Sequence, residues 1–232
     1  MTGRWRAIFR PVLRVDLLAG AKALDDPLPT PAVEPVALRL ALPDDFPSLA
    51  SLAEAEIRGI PDFPLRVSFL DEFARLHHKG DVCFLLEIDG RIAYFSWVAF
   101  DTAALSAYGL ISPLLEGEAY VSMSYTFPAY RRRGVATAAR VEANRWLRDH
   151  GVRQAYSWVR THNTASLKVR ERAGWRVVGQ LTQFIWRIRR RYTLLTVTTN
   201  DPDDPLSTWC GPERLNIDGG IRITRRGAAG SG

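Results

Sequence analysis

The chain reads as one mixed α/β domain, and three stretches carry that reading. Tyr120 to Phe127 is rich in aromatic and β-branched residues and stops at Pro128, which cannot donate to a sheet ladder, so a strand ends there. A helix follows from Gly134, with Ala136, Ala139, Ala143, Trp146 and Leu147 at helical spacing and Thr137, Arg140, Asn144 and Arg148 on the other face. Val141 breaks the pattern by falling among the polar positions, and His150-Gly151 is the stop signal. Val152 to Val159 repeats the strand, and Ala165 to Arg172 repeats the helix, opened by Thr161-His162-Asn163 and closed by Gly174. Asp89-Gly90, between two apolar runs, is the strongest short-range hairpin signal because its turn requires positive φ.

In chain order, residues 1 to 35 interleave Trp5, Ile8, Phe9, Val12 and Leu13 with Arg4, Arg6, Arg10 and Arg14, and Pro11 interrupts any helix there. This basic segment reads as an arm packed on the domain or on a second subunit, a possible homodimer; the competing reading is a membrane-surface anchor. Pro27, Pro29, Pro31 and Pro35 hold the connector after it extended. A first strand is expected over Val36 to Leu42, and Pro43-Asp44-Asp45 starts a helix running to about Glu56. The kinked loop Arg58 to Pro64 leads to a second helix through Phe69, Phe73 and Leu76 to His78. Asp81 to Ile88 and Arg91 to Phe100 are the two strands of the hairpin, and Asp101 to Gly117 carries no assignable pattern. Arg176 to Thr199 supplies two further strands. Arg187, Arg189, Arg190 and Arg191 in the second half of that region form a solvated strand edge or extend an anion site. From Asn200 the chain is polar and rich in Asp and Pro, and Gly227 to Gly232 is expected to be disordered. The division is therefore a basic arm and connector over 1–35, a domain over 36–199 and a polar tail over 200–232.

The 232 residues, 47% hydrophobic and 24% charged, are enough for one sizeable core. A formal charge of +6 favours anionic partners. Cys83 and Cys210 form neither a disulfide framework nor a metal-ligand spacing, so no metal is expected and a reducing compartment fits. Cys83 sits in an apolar run and is expected in the core. No stretch has the length of a membrane span and the N-terminus has no signal-peptide pattern, which points to the cytoplasm.

Chemistry concentrates at Arg131-Arg132-Arg133-Gly134-Val135-Ala136. A helix N-terminus offers unpaired N–H groups and a positive dipole end, and the glycine lets backbone come close to a ligand. The turn is an anion cradle, most naturally for phosphates.

These motifs, over about Val36 to Thr199, resemble the GNAT superfamily of acyl-CoA-dependent N-acyltransferases. Its cofactor signature, Arg or Gln, two residues, Gly, one residue, Gly or Ala after a strand, is met by Arg131, Gly134 and Ala136. Its next landmark, an Asn opening a helix that ends in Gly and an aromatic residue, is met by Asn163, Gly174 and Trp175. Asn163 to Ser166 and Glu171 to Trp175 are similar to the branch that includes ribosomal-protein N-terminal acetyltransferases. The resemblance implies a central, mostly antiparallel sheet with a splayed central strand pair, flanked by helices. It implies acetyl-CoA as co-substrate, with no metal, and a small-molecule amine or a protein N-terminus as acceptor. By the same resemblance the backbone of Tyr125, Thr126 and Phe127 bonds the pantetheine. The N–H groups of Arg132 to Ala136, with the side chains of Arg131, Arg132 and Arg133, take the phosphates, and Asn163 and Ser166 are further cofactor contacts. An N–H on the strand would polarise the thioester carbonyl, and the amine attacks directly within a ternary complex. The position of the family's early-strand base holds Tyr120, and Glu118, two residues earlier on the same face, is the candidate base. The position of the family's leaving-group Tyr holds Arg170, with Ser166 or Tyr125 as stand-ins. By the resemblance alone Ile60, Phe63 and Phe69 would line the acceptor wall, whereas as bare sequence they read as core or loop packing. Two other readings stay open: a CoA-binding module without transfer, and a basic polyanion or membrane-surface adaptor, for which the sequence gives no strong support.

Overall fold

The computed structural model describes residues 13–30, 37–58, 67–105, 110–187, 191–201, 204–206, 214, 216–217 and 221–226. Its elements are β1 (Leu13–Ala23), β2 (Leu38–Leu40), α1 (Phe46–Glu56), α2 (Phe69–His78), β3 (Val82–Ile88), β4 (Arg91–Ala99), β5 (Thr102–Leu105), β6 (Leu110–Pro113), β7 (Glu118–Thr126), α3 (Val135–Asp149), β8 (Gln154–Arg160), α4 (Thr164–Arg172), β9 (Arg176–Arg187), β10 (Arg191–Thr199), β11 (Asn216–Ile217) and β12 (Ile221–Arg226). One sheet has the strand order β12-β10-β9-β1-β8-β7-β4-β3-β2, and β11, β6 and β5 form a smaller one. Within the large sheet β7 runs parallel to β8 and β10 parallel to β12, and the other neighbours are antiparallel.

The local expectations for the hairpin and helices hold. Asp89 at φ +52° and Gly90 at φ +69° make the β3–β4 turn. Ser68 caps α2 by accepting from the Asp71 N–H, and Asn163 caps α4. Alternation along β3 and β4 sends Cys83, Leu85, Phe95 and Trp97 to one face, where Phe46, Leu49, Phe69 and Phe73 of α1 and α2 meet them. On the other face Val98, Val121 and Ala155 pack against Val141 and Leu147 of α3 and against Trp175. Cys83 is buried, and burial pushes its thiol far above the usual range, so it is an inert core residue.

Four expectations need correction. Residues 13–23, read as part of a peripheral arm, form β1, which lies inside the sheet and pairs with β8 on one side and β9 on the other. The reason is period-2 burial: Val15, Leu17, Ala19 and Ala21 are all core. The unassigned stretch 101–117 contains β5 and β6. The polar tail returns to the domain: Leu206 is buried in its core, β11 pairs with β6, and β12 pairs with β10. Phe69, which the resemblance put on a substrate wall and the bare sequence in the core, is 1% exposed and packs on Phe73 with ring centroids 5.7 Å apart, so the core reading holds and the wall is corrected. Ile60, Phe63, Arg189, Arg190 and Gly227 to Gly232 lie outside the described residues.

Candidate functional site

β7 and β8 are hydrogen-bonded neighbours only at their starts, where Glu118, Ala119 and Tyr120 face Gln154, Ala155 and Tyr156. Beyond that point β7 follows β4 and β8 follows β1, so the two strands part and leave a wedge between them. β7 also carries a bulge. Its register against β4 shifts between Phe95 and Trp97, and Met123 sits at φ +44°. Nothing in the run Ser122-Met123-Ser124 announces that bulge. The Phe127 N–H donates to the Ala93 carbonyl at 3.0 Å. Alternation therefore turns the N–H and C=O of Thr126 away from β4 and toward the wedge, where that carbonyl accepts from Arg131 Nε at 3.0 Å. The side chains of Tyr125 and Phe127 point the other way, into the core against α1 and α2. Their backbone N–H and C=O groups turn toward β4, so of the three residues it is Thr126 whose backbone faces the wedge.

At the open end of the wedge the chain turns through Arg132 at φ +61° and Gly134 at φ +77° into α3. Gly134 is the N-cap and no side chain caps the helix, so the N–H groups of Val135, Ala136 and Thr137 keep no intrahelical acceptor. Arg132 and Arg133 are exposed beside them, while Val135 is buried against Tyr94 and Ala139 and anchors the turn. Arg131 is used differently. Its guanidinium stacks 5.1 Å from the Tyr125 ring centroid and donates to the Tyr125 hydroxyl at 2.7 Å, so it braces β7. Uncapped N–H donors, a left-handed glycine and two exposed guanidiniums fit a diphosphate.

Asn163 Oδ1 accepts from the Ser166 N–H at 3.1 Å, and Ser166 Oγ accepts from Arg170. Both therefore sit at the start of α4. Glu118 and Tyr120 lie at the closed end of the wedge, remote from the turn in the register of β7. The Glu118 carboxylate accepts from Arg214 Nη2 at 2.5 Å, from the Leu115 N–H at 2.8 Å and from the Tyr156 hydroxyl at 3.1 Å. Burial pushes its pKa up, but the bonds from Arg214 and Leu115 outweigh that and hold it below the usual carboxylate range. A carboxylate so occupied is an ion-pair partner rather than a proton acceptor. A cavity of about 500 Å³ lined by Lys79, Asp81, Leu114, Glu118 and His150 adjoins this end of β7, not the turn.

Two arginines escape the sequence reading of α3 and α4. Arg140 and Asn144, expected on the polar face of α3, are 2% and 0% exposed. Arg140 donates to Ser124 Oγ on β7 at 2.6 Å, and Arg170 donates to Ser157 Oγ on β8 at 2.8 Å. Burial, with Arg140 nearby, pushes the Arg170 guanidinium down to about 9. Val141, breaking the helical pattern between them in sequence, was the available signal that this face turns inward. Among the described residues no group of three or more His, Cys, Asp or Glu side chains could hold a metal, and no helix is long and apolar enough to cross a membrane.

The model of the acetyltransferase (GNAT) family matches residues 56–175, just over half of the chain, and the protein belongs to that family. Solved structures share the fold. A GCN5-related N-acetyltransferase from Sphaerobacter thermophilus superposes with a TM-score of 0.53 at 20% identity, over 76% of this chain and 52% of its own. A GNAT-family acetyltransferase from Colwellia psychrerythraea gives 0.53 at 12% identity, over 78% and 60%. A GNAT-family protein from Novosphingobium aromaticivorans gives 0.52 at 20% identity, over 75% and 64%. The chain thus spans between about half and two thirds of each of these structures. No curated protein matches it.

Proposed function

We propose that this chain is a cytoplasmic N-acetyltransferase that moves an acetyl group from acetyl-CoA to a primary amine by direct attack in a ternary complex. The observation that carries the reading is the wedge between β7 and β8 opening onto an uncapped, glycine-started helix. Acetyl-CoA supplies the activated acyl group. Arg132, Arg133 and the N–H groups from Gly134 to Ala136 bind its phosphates, and the gap-facing backbone of Thr126 pairs with the pantetheine arm like an added strand. Arg131 acts by positioning: it clamps β7 through Tyr125 and Thr126. Asn163 and Ser166 border the other side from α4. The acceptor, a small amine or a protein N-terminus, forms the new N–C bond as the C–S bond breaks, and orientation is the main source of rate.

The test is the thermal midpoint of the wild type and of Gly134→Glu with and without acetyl-CoA, followed by thiol release with candidate amines. Saturation at a hundred times the dissociation constant adds about 2.7 kcal/mol. The wild type is expected to shift, and a folded Gly134→Glu is not; a shift in neither variant discards the cofactor turn. The occupied Glu118 carboxylate favours a second reading, a CoA-binding module without turnover. That reading predicts the same shift with no thiol release on any amine.

A further inference from the structure

Beneath the wedge the helix layer places a group of buried donors with too few acceptors. Arg140 Nε and Nη1, Asn144 Nδ2, Trp175 Nε1 and the Tyr94 hydroxyl are all buried without a hydrogen-bond partner among the described residues, and of these side chains Asn144 also leaves its acceptor Oδ1 in the same condition. Arg140 and Asn144 are one helical turn apart on α3 and share a face. The Arg140 guanidinium lies 5.5 Å from the Trp175 ring centroid. Arg170 also lies near Trp175, both beside Gly20: a Cβ on Gly20 would meet Ser157 Oγ at 3.2 Å, Arg170 Cδ at 3.6 Å and Trp175 Cε3 at 3.7 Å. A Cβ at Gly20 would crowd the Ser157 hydroxyl that Arg170 uses.

Two guanidiniums, 2% and 8% exposed, thus flank the wedge, one tied to Ser124 on the β7 arm and one to Ser157 on the β8 arm. Neither is ion-paired with an acidic side chain among the described residues. Burying charge without a counter-charge is costly, and buried donors without acceptors add to the cost. An anion between the arms removes both penalties. Phosphates already have the exposed turn at 131–136, so the interior donors are left for a smaller anion. A carboxylate presents about four lone-pair directions in a plane and matches guanidinium, amide and hydroxyl donors together.

We propose that the floor of the β7–β8 wedge, formed by Arg140, Asn144, Tyr94 and Arg170, binds a carboxylate carried by one of the two substrates. The carboxylate belongs either to the far end of a dicarboxylic acyl chain on the donor or to an amino-acid-like acceptor. The site deepens the acyltransferase reading, which provides the route into the wedge, but its charge and donors stand on the buried residues alone.

Calorimetric titration distinguishes the sources. If the donor carries the carboxylate, succinyl-CoA binds the wild type about tenfold or more tightly than acetyl-CoA, the scale of one charge-assisted hydrogen bond. Arg140→Met and Arg170→Met each remove that preference. If the acceptor carries it, succinyl-CoA has no advantage. Glutamate or succinate, added with CoA present, then binds the wild type about tenfold or more tightly than either variant. The comparison of donors on the wild type needs no variant, so a Met variant that does not fold leaves that arm intact. Arg140→Lys, which keeps the charge and loses the fork, is then expected to weaken the free acids. Equal binding of both donors, together with free-acid binding that is absent or unchanged in the variants, overturns the proposal. So does chloride binding as tightly as the carboxylates. Loss of acetyl-CoA binding altogether would defeat the acyltransferase reading, while the free acids, titrated without CoA, would still decide this one.

Discussion

Glu118 shows how a residue in a plausible place can be committed elsewhere. Its carboxylate, 8% exposed, is held by Arg214, and the pair is largely buried on both sides. Removing one partner strands a buried charge, so Arg214→Ala is expected to cost about 3 kcal/mol in a urea melt. The folded pKa of Glu118 lies below its unfolded value, so its contribution is complete above the ordinary glutamate range and fades as pH falls through the lowered folded value. The stability difference between the wild type and Glu118→Gln should therefore be level near neutral pH and shrink below about pH 4. A difference that grows on acidification would contradict the pairing. The sequence identified this residue by counting along a strand, which fixes the face it occupies but cannot see a partner ninety-six positions away. Arg140 failed in the opposite direction. Helical spacing assigned it to solvent because arginine is usually there, yet α3 is covered on that side by Ser124 and Trp175.

At the scale of elements, what was legible followed local chemistry. The hairpin at Asp89-Gly90, the cap at Asn163 and the glycine before α3 are short-range instructions, and the chain obeys each. Asn163→Ala should cost about 1 kcal/mol, since it frees the Ser166 N–H at the start of α4. A thermal melt reads that loss, and restoration by Asn163→Asp would assign it to capping. Gly134→Ala should likewise cost about 1–2 kcal/mol, because φ is +77° and a Cβ is penalised there. Absence of any cost would mean that the turn relaxes to another shape. The β7 bulge was not legible, and the wedge was expected only through the resemblance, since neither strand's own residues announce it. Both depend on which strand each arm chooses as neighbour, a choice made by β4 and β1 rather than by β7 or β8.

For the whole molecule the chief surprise is where β1 lies. Residues that composition placed outside the domain are paired on both edges near the middle of the sheet. Deleting residues 1–23 should therefore abolish the cooperative unfolding transition, followed by circular dichroism, whereas a peripheral arm would be dispensable. Leu17→Ala alone, at a fully buried position, should cost about 2–5 kcal/mol. The tail behaves in the same way, since Leu206 enters the core and Arg214 closes onto Glu118. Net charge and proline content describe such segments on average and miss the alternation of Val15, Leu17, Ala19 and Ala21.

The position of β1 also sets a timetable. Leu17 pairs with Arg160 and with Leu181, so the strand that leaves the ribosome early must wait for partners made far later. At synthesis rates of about 5–20 residues per second that wait lasts on the order of ten seconds. During it the apolar stripe of β1 is an unsatisfied edge, open to other nascent chains.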